Sequence, residues 1–286
     1  MSLRVFSALV SPLHFPFTLP ATSSHSHPLS HTQDGSSPRH LQGHVKRVTG
    51  LHILTSPDGL HKGREILSSS LDGTLKLWDV SQGSCTRTWR LSKPISSLRV
   101  ISEEGGGETS NVLEEKFACC GHSDGEVSIL SLSSSDDDLT SSSTLTTLKT
   151  GSTSSIESTA YESEKRFVAV GARNGIVTIF QLPPSPLSQL SQVQFEPVAK
   201  WRRTEGSSIN SLKWSQGGES LLVASSDGLP YRASMRMSDG GELVIGVKEE
   251  FVGLDCDACT EIEEDSEGRV WTSGGNGDGS IRVYER

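Results

Sequence analysis

The sequence predicts an all-β chain of repeated antiparallel sheets, a β-propeller, on three observations. A tight-turn dipeptide recurs at Asp72-Gly73, Asp124-Gly125, Asn174-Gly175, Asp227-Gly228 and Asp278-Gly279, at intervals of 52, 50, 53 and 51 residues. Short runs of strand-forming residues flank each turn, and one more run lies upstream of it. A period of this length built on one turn-centred unit marks a stacked or radial repeat, because a single unit cannot bury its own faces.

Within each unit the elements follow in order. The first is a short strand, read at RVTGLHIL, ISSLRVI, SIESTAY, SINSLKW and ACTEIEE. The second precedes the turn and mixes apolar with small residues: EILSSSLDG, FACCGHSDG, FVAVGARNG, LLVASSDG and VWTSGGNGDG. The third follows the turn and alternates, as in TLKLWDV, EVSILSL, IVTIFQL and SIRVYER, the pattern of a half-buried strand. Asp-Gly or Asn-Gly between such runs predicts a type I′ hairpin, with positive φ at both central residues. The fourth element is less regular, read at SCTRTWRL after the first turn and ELVIGVKEEFV after the fourth. Five four-stranded blades result, near residues 43–91, 92–150, 151–203, 204–252 and 253–286, the last stopping in its third strand at Tyr284. Residues 41–286 are read as the propeller, and residues 1–40, rich in Ser, Pro and His, as a disordered leader.

Gly43-His44, Asp72-Gly73 and Trp78-Asp79, ending LDGTLKLWD, resemble a WD repeat. The other units keep the turn but hold Leu130, Phe180, Ala233 and Tyr284 at the tryptophan position. The resemblance implies that His44, a strand hydroxyl, Asp72 and Trp78 form a hydrogen-bonded chain tying the blade's loops to its core. Ser68 and Ser70 both fit as the hydroxyl. It also implies seven blades in the usual case, so the chain reads either as a five-bladed propeller or as an N-terminally truncated seven-bladed one. LRVFSALV at Leu3–Val10 is the candidate outer strand for the last unit.

A narrower resemblance is carried by LQGHVKRVTGLHI (Leu41–Ile53), REILSSSLDGTLKLWDVSQGSCTRTWR (Arg64–Arg90) and FVGLDCDACTEI (Phe251–Ile262). These segments are similar to the proteasomal ATPase-associated factor family. That implies a chaperone of proteasome regulatory-particle base assembly, binding an ATPase subunit through its C-terminal domain. In WD blades the residue before the turn Asp or Asn often faces the partner, which marks Leu71, Ser123, Arg173, Ser226 and Gly277. Arg173 has the chemistry of an interface anchor. Trp201-Arg202-Arg203 also joins an aromatic to arginine as anchors do, and reads alternatively as the exposed end of a blade-edge strand.

Composition narrows the function classes. The 26 basic against 35 acidic residues give a net charge of −9, which repels a phosphate backbone, and no basic run exceeds Arg202-Arg203. Neither nucleic acid nor membrane is an expected partner, since no apolar run nears the ~18 residues of a span. Five cysteines without a short secreted framework point to a reducing compartment, cytoplasm or nucleus. Cys256-x-x-Cys259 is the one paired-thiol spacing, and a structural zinc would need a second pair of ligands. Cys119 and Cys120, near His122, are adjacent on a strand and point to opposite faces, so no metal or cofactor is expected. No G-x-S-x-G elbow, P-loop or G-x-G-x-x-G is present. Asp136-Asp137-Asp138, within the polar tract Ser133–Thr147, reads as a solvated loop.

The expected function is a non-enzymatic protein-binding scaffold, monomeric outside its complex. Two alternatives are a substrate-recognition WD subunit of a ubiquitin ligase, whose adaptor helix is missing from this sequence, and a general WD scaffold of another complex.

Overall fold

A computed structural model describes residues 2–5, 39–54, 65–103, 115–132, 144–184, 186–190, 195–237, 243–253, 258–274 and 280–285. The chain is an all-β propeller of blade-like sheets. It divides into two compact units, residues 1–98 with 134–143, and residues 99–133 with 144–286.

In the first unit, β1 (Ser2–Val5) pairs antiparallel with β2 (Arg39–Gln42). The first blade is a sheet of β3 (Val48–Leu54), β4 (Glu65–Ser70), β5 (Thr74–Asp79) and β6 (Ser84–Arg90), hydrogen-bonded in that order. The Leu3–Val10 run was expected to complete the last blade. Its described part instead forms a local ribbon with the residues leading into the first blade, and residues 6–10 lie outside the described residues.

The second blade contains β7 (Ile95–Glu103), β8 (Glu115–His122), β9 (Glu126–Ser131) and β10 (Thr144–Lys149). The third contains β11 (Ile156–Glu162), β12 (Phe167–Ala172), β13 (Ile176–Gln181) and β14 (Ala199–Arg202). The fourth contains β15 (Ile209–Trp214), β16 (Ser220–Ser225), β17 (Tyr231–Met237) and β18 (Leu243–Glu250). The fifth has three strands among the described residues, β19 (Cys259–Glu264), β20 (Val270–Gly274) and β21 (Ser280–Tyr284). The tract Ser133–Thr147 is not loop throughout, because Thr144–Thr147 open β10, with Thr146 buried; Asp136–Asp138 lie outside the described residues.

Two sequence expectations need correction. The strands after the second and third turns are not half-buried: β9 buries Val127 to Leu130 and β13 buries Val177 to Phe180 without alternation, whereas β21 keeps Ile281 and Val283 exposed. In the second unit, consecutive sheets pack face to face, so the middle strands bury both sides. On β12, Val168, Val170 and Ala172 join one core with Phe117, Ile129 and Phe180, while Ala169 joins another with Val177, Leu212 and Tyr231. A third core joins Leu222, Ala224 and Phe251 to Cys259, Ile262 and Val270. Each fully buried aliphatic or aromatic side chain contributes about 1.5–3 kcal/mol, so these inter-sheet layers hold the second unit together.

The four described turns are not type I′ either; Asp278-Gly279 lies outside the described residues. Asp72, Asp124, Asn174 and Asp227 have no positive φ, whereas Gly73, Gly125, Gly175 and Gly228 lie between +76° and +87°. Each glycine N–H donates to the carbonyl three residues back, Gly73 to Ser70 and Gly175 to Ala172. This is the three-residue loop in which an ordinary turn is followed by a left-handed glycine. The Asp or Asn recurs because its side-chain oxygen accepts the N–H two residues on: Thr74, Glu126, Ile176 and Leu229, at 2.9–3.3 Å. Glycine is doubly required. A Cβ on Gly125 would lie 1.8 Å from the Ser152 carbonyl oxygen, and one on Gly175 would lie 2.6 Å from that of Thr204.

Candidate functional site

The first blade carries a buried polar chain within the first unit. β4 places Ser68 in its middle, the β4–β5 turn supplies Asp72, and β5 supplies Thr74 and Trp78. His44 enters from the segment after β2. The Trp78 indole N–H donates to Ser68 Oγ at 2.8 Å, so the Ser68 hydroxyl is free to donate to His44 Nε2 at 2.7 Å. His44 is then protonated on Nδ1, which faces Asp72 Oδ2 at 3.2 Å and Thr74 Oγ1 at 3.0 Å. The Thr74 hydroxyl donates to Asp72 Oδ1 at 2.6 Å, and the N–H groups of Val45 and Thr74 also reach the carboxylate at 2.9 Å.

Ser68, not Ser70, is therefore the hydroxyl of the chain. Ser70 instead donates to the Lys46 carbonyl and accepts from the Asp72 N–H. Thr74 is a member that the motif reading missed, although its place right after Asp-Gly was visible. Burial lowers the His44 pKa, with Asp72 pulling the other way, so the ring is neutral. Burial raises the Asp72 pKa, but the bonds from the Thr74 side chain and from the Val45 and Thr74 backbones outweigh it and bring it to about 2.

The connectivity Ser68–His44–Asp72 is that of a hydrolytic triad. It cannot work as one. Ser68 is 0% exposed and its oxygen is covered by the Trp78 N–H, so no carbonyl carbon can reach it. The group is a lock between strands and loops.

The partner-facing candidates are placed as follows. Leu71 is half-buried, while Ser123, Arg173 and Ser226 are exposed beside their turns; Gly277 lies outside the described residues. The Arg173 side chain is 71% exposed and its Nε lies 3.1 Å from Glu157 Oε1. Arg202, on the solvent side of β14, faces Glu205 at 3.5 Å. Trp201 is half-buried, edge-on to Tyr231 with ring centres 5.2 Å apart. Arg203 lies 5.0 Å over the same Tyr231 ring, donates to the Leu229 carbonyl and pairs with Glu250 at 2.9 Å. This run thus joins the outer strand of the third blade to the fourth.

Sequence reasoning placed His122 only near Cys119 and Cys120; it is buried with Nε2 2.8 Å from Ser128 Oγ. Sequence reasoning also overlooked Arg232, which lies on β17 between Tyr231 and Ala233. Arg232 is 1% exposed and bonds Glu249 at 3.1 Å, Glu264 at 2.9 Å and Ser220 at 3.4 Å.

Cys119, Cys120 and Cys259 are buried and free, and burial pushes the Cys119 and Cys259 thiols up to about 12. Cys256 lies outside the described residues, and among those described no group of three or more His, Cys, Asp or Glu is placed to hold a metal ion.

Residues 35–79, the segment holding His44, Asp72 and Trp78, match the family described as WD domain, G-beta repeat. A stretch of 64 residues is 38% identical to the ribosome biogenesis protein BOP1 homolog of Chlamydomonas reinhardtii, covering 22% of this chain and 7% of that protein. A stretch of 77 residues is 35% identical to the nuclear distribution protein nudF of Emericella nidulans, covering 27% of this chain and 16% of that protein. The chain thus matches only a small part of the length of these relatives. Among solved structures, the Cps50 (Swd1) β-propeller domain of Myceliophteria thermophila is similar, with a TM-score of 0.55 at 17% identity, over 86% of this chain and 76% of that one. The fold is a β-propeller, and its first blade carries a WD repeat.

Proposed function

We propose that this chain is a non-enzymatic protein-binding scaffold of the cytoplasm or nucleus. The observation that carries the reading is the lock of the first blade, where a potentially reactive Ser-His-Asp set is fully committed to structure. What remains for function is the solvent-facing ends of the strands, where loops on a rigid scaffold present side chains to partners. Arg173 is the foremost anchor there, with Arg202 beside it, and Trp201 sets the strand that carries Arg202.

The finer reading rests on the resemblance at Leu41–Ile53, Arg64–Arg90 and Phe251–Ile262. On it, the partner is a proteasomal base ATPase subunit, held by its C-terminal domain during regulatory-particle assembly. The net charge of −9 favours a basic partner surface through steering. The test is affinity purification of the tagged chain with mass spectrometry, followed by binding of the purified ATPase C-terminal domain. Direct binding weakened roughly tenfold by Arg173→Glu supports the reading. Recovery of cullin adaptors points instead to a ubiquitin-ligase subunit, and recovery of another complex without base ATPases overturns the proteasome assignment while leaving the scaffold.

A further inference from the structure

A polar cleft opens in the second unit at the strand ends opposite Arg173. It encloses about 520 Å³ and is lined from three successive blades. Lys165 comes from the β11–β12 turn, Gln216 and Glu219 from the β15–β16 turn, Arg232 from β17, Lys248 from β18 and Glu264 from the end of β19.

Its charges are not equally available. Glu264 is saturated: one oxygen accepts from Arg232 at 2.9 Å and the other from the Gln216 N–H at 2.9 Å. Arg232 is saturated in turn by Glu264, Glu249 and Ser220. The two lysines are not. Both are exposed and neither makes an ion pair among the described residues; the Lys165 ammonium has one bond, to the Gly218 carbonyl at 3.1 Å. Lys165 is also held in place, because its backbone N–H donates to Glu162 Oε2 at 2.6 Å, and Glu162 packs against Gly218 of the next blade. Glu219 is the one lining carboxylate outside the Arg232 network, so the mouth carries two cations against one anion in a chain whose net charge is −9.

We infer that this cleft is a second docking site of the scaffold, taking a carboxylate-rich extended peptide of a protein partner, with Lys165 and Lys248 as its recognition charges. The inference rests on the scaffold reading but uses the opposite strand ends from Arg173. The size falls within the range of ligand clefts, but the polar lining fits a charged peptide segment and not an apolar small molecule. A site of this kind binds through charge, so its affinity falls with salt.

The test is fluorescence anisotropy of the full chain with a labelled oligoglutamate peptide, an oligoglutamine control and a phosphoserine peptide. Oligoglutamate should bind, oligoglutamine should not, and Lys165→Glu/Lys248→Glu should weaken binding by roughly tenfold or more. Lys165→Gln/Lys248→Gln, which removes charge without adding repulsion, should give an intermediate loss with an unchanged thermal melt. Equal binding of both oligopeptides, or full affinity in the charge-reversed variant, overturns the inference, as does phosphoserine binding that the lysine variants leave intact. Arg173→Glu should not alter oligoglutamate binding. Loss of the purified partner with Arg173→Glu but not with the lysine variants leaves the scaffold reading standing while this site fails.

Discussion

Ser68→Ala is the substitution that most directly tests the lock of the first blade. Ser68 is 0% exposed, accepts from Trp78 Nε1 at 2.8 Å and donates to His44 Nε2 at 2.7 Å. Removing one oxygen breaks both bonds and leaves two buried nitrogens without partners, at about 1–3 kcal/mol for each group so stranded, tempered by relaxation to a total of about 2–4 kcal/mol. Ser70 is the matched control. It is equally buried and two residues along the same strand, but its bonds are to the Lys46 carbonyl and the Asp72 N–H near the turn surface, so Ser70→Ala should cost about 1 kcal/mol. Urea unfolding followed by far-ultraviolet circular dichroism gives both values. A Ser68→Ala/Trp78→Phe cycle should add a coupling of about 1 kcal/mol, since each single change already breaks the shared bond. If Ser68→Ala costs no more than Ser70→Ala, or if the cycle is additive, the chain of bonds is not what holds the blade.

Other outcomes follow from the same structure. Gly125→Ala combines a φ of +87° with a Cβ 1.8 Å from a backbone oxygen and should cost about 3 kcal/mol or more, whereas Gly83→Ala, at φ +70° with nothing within 4 Å, should cost about 1 kcal/mol; thermal melts separate the two. Arg232→Met strands the buried Glu264 and should destabilise by about 3–5 kcal/mol, with much of that recovered in Arg232→Met/Glu264→Met. Because the folded His44 pKa lies below its ordinary 6.5, protonation favours the unfolded chain, so stability should fall as pH drops below about 6.5; Asp72, held at about 2, adds a further loss between pH 3.8 and 2. A His44→Gln variant melted across this range should lose the upper step and keep part of the lower one.

The repeat was legible because its punctuation is local. An Asp or Asn whose oxygen accepts the N–H two residues on, followed by a glycine that must take positive φ, is a constraint written in two adjacent letters. The turn type was not legible from those letters, since Asp-Gly suits both a two-residue and a three-residue loop. The register decides it: Ser69 opposite Leu75 leaves Leu71, Asp72 and Gly73 in the loop. The half-buried reading failed at β9 and β13 for a different reason. Alternation tells which residues share a face, but both faces are dry when sheets pack against sheets, and small residues such as Ala169 and Ala172 then mark close approach. Arg232 was hidden because its partners are distant, Glu249 by 17 residues and Glu264 by 32, and a pairing of that kind has no sequence period.

These long-range arginines bear on how a repeat can drift from its signature. The first blade ties its loops to its sheet through Trp78, and the later blades hold Leu130, Phe180, Ala233 and Tyr284 at that position, none of which carries the indole N–H of that lock. In the fourth blade the Ala233 position is flanked by Tyr231, clamped by Arg203 from the third blade, and by Arg232, which binds Glu264 of the fifth. The ties therefore run between blades instead of within one. A lock inside a blade stabilises that blade alone, whereas a tie between blades makes each depend on its neighbour, in the manner of nearest-neighbour coupling in repeat proteins. Loss of Arg203 or Arg232 should accordingly loosen two blades at once, seen as hydrogen exchange rising together in β13–β14 and β16–β18, or in β16–β18 and β19–β20. Loss of Ser68 should raise exchange in β3–β6 alone. Exchange confined to one blade after Arg232→Met would mean that the fourth and fifth blades are held by their apolar layer, and that the buried arginine only fills a polar gap within it.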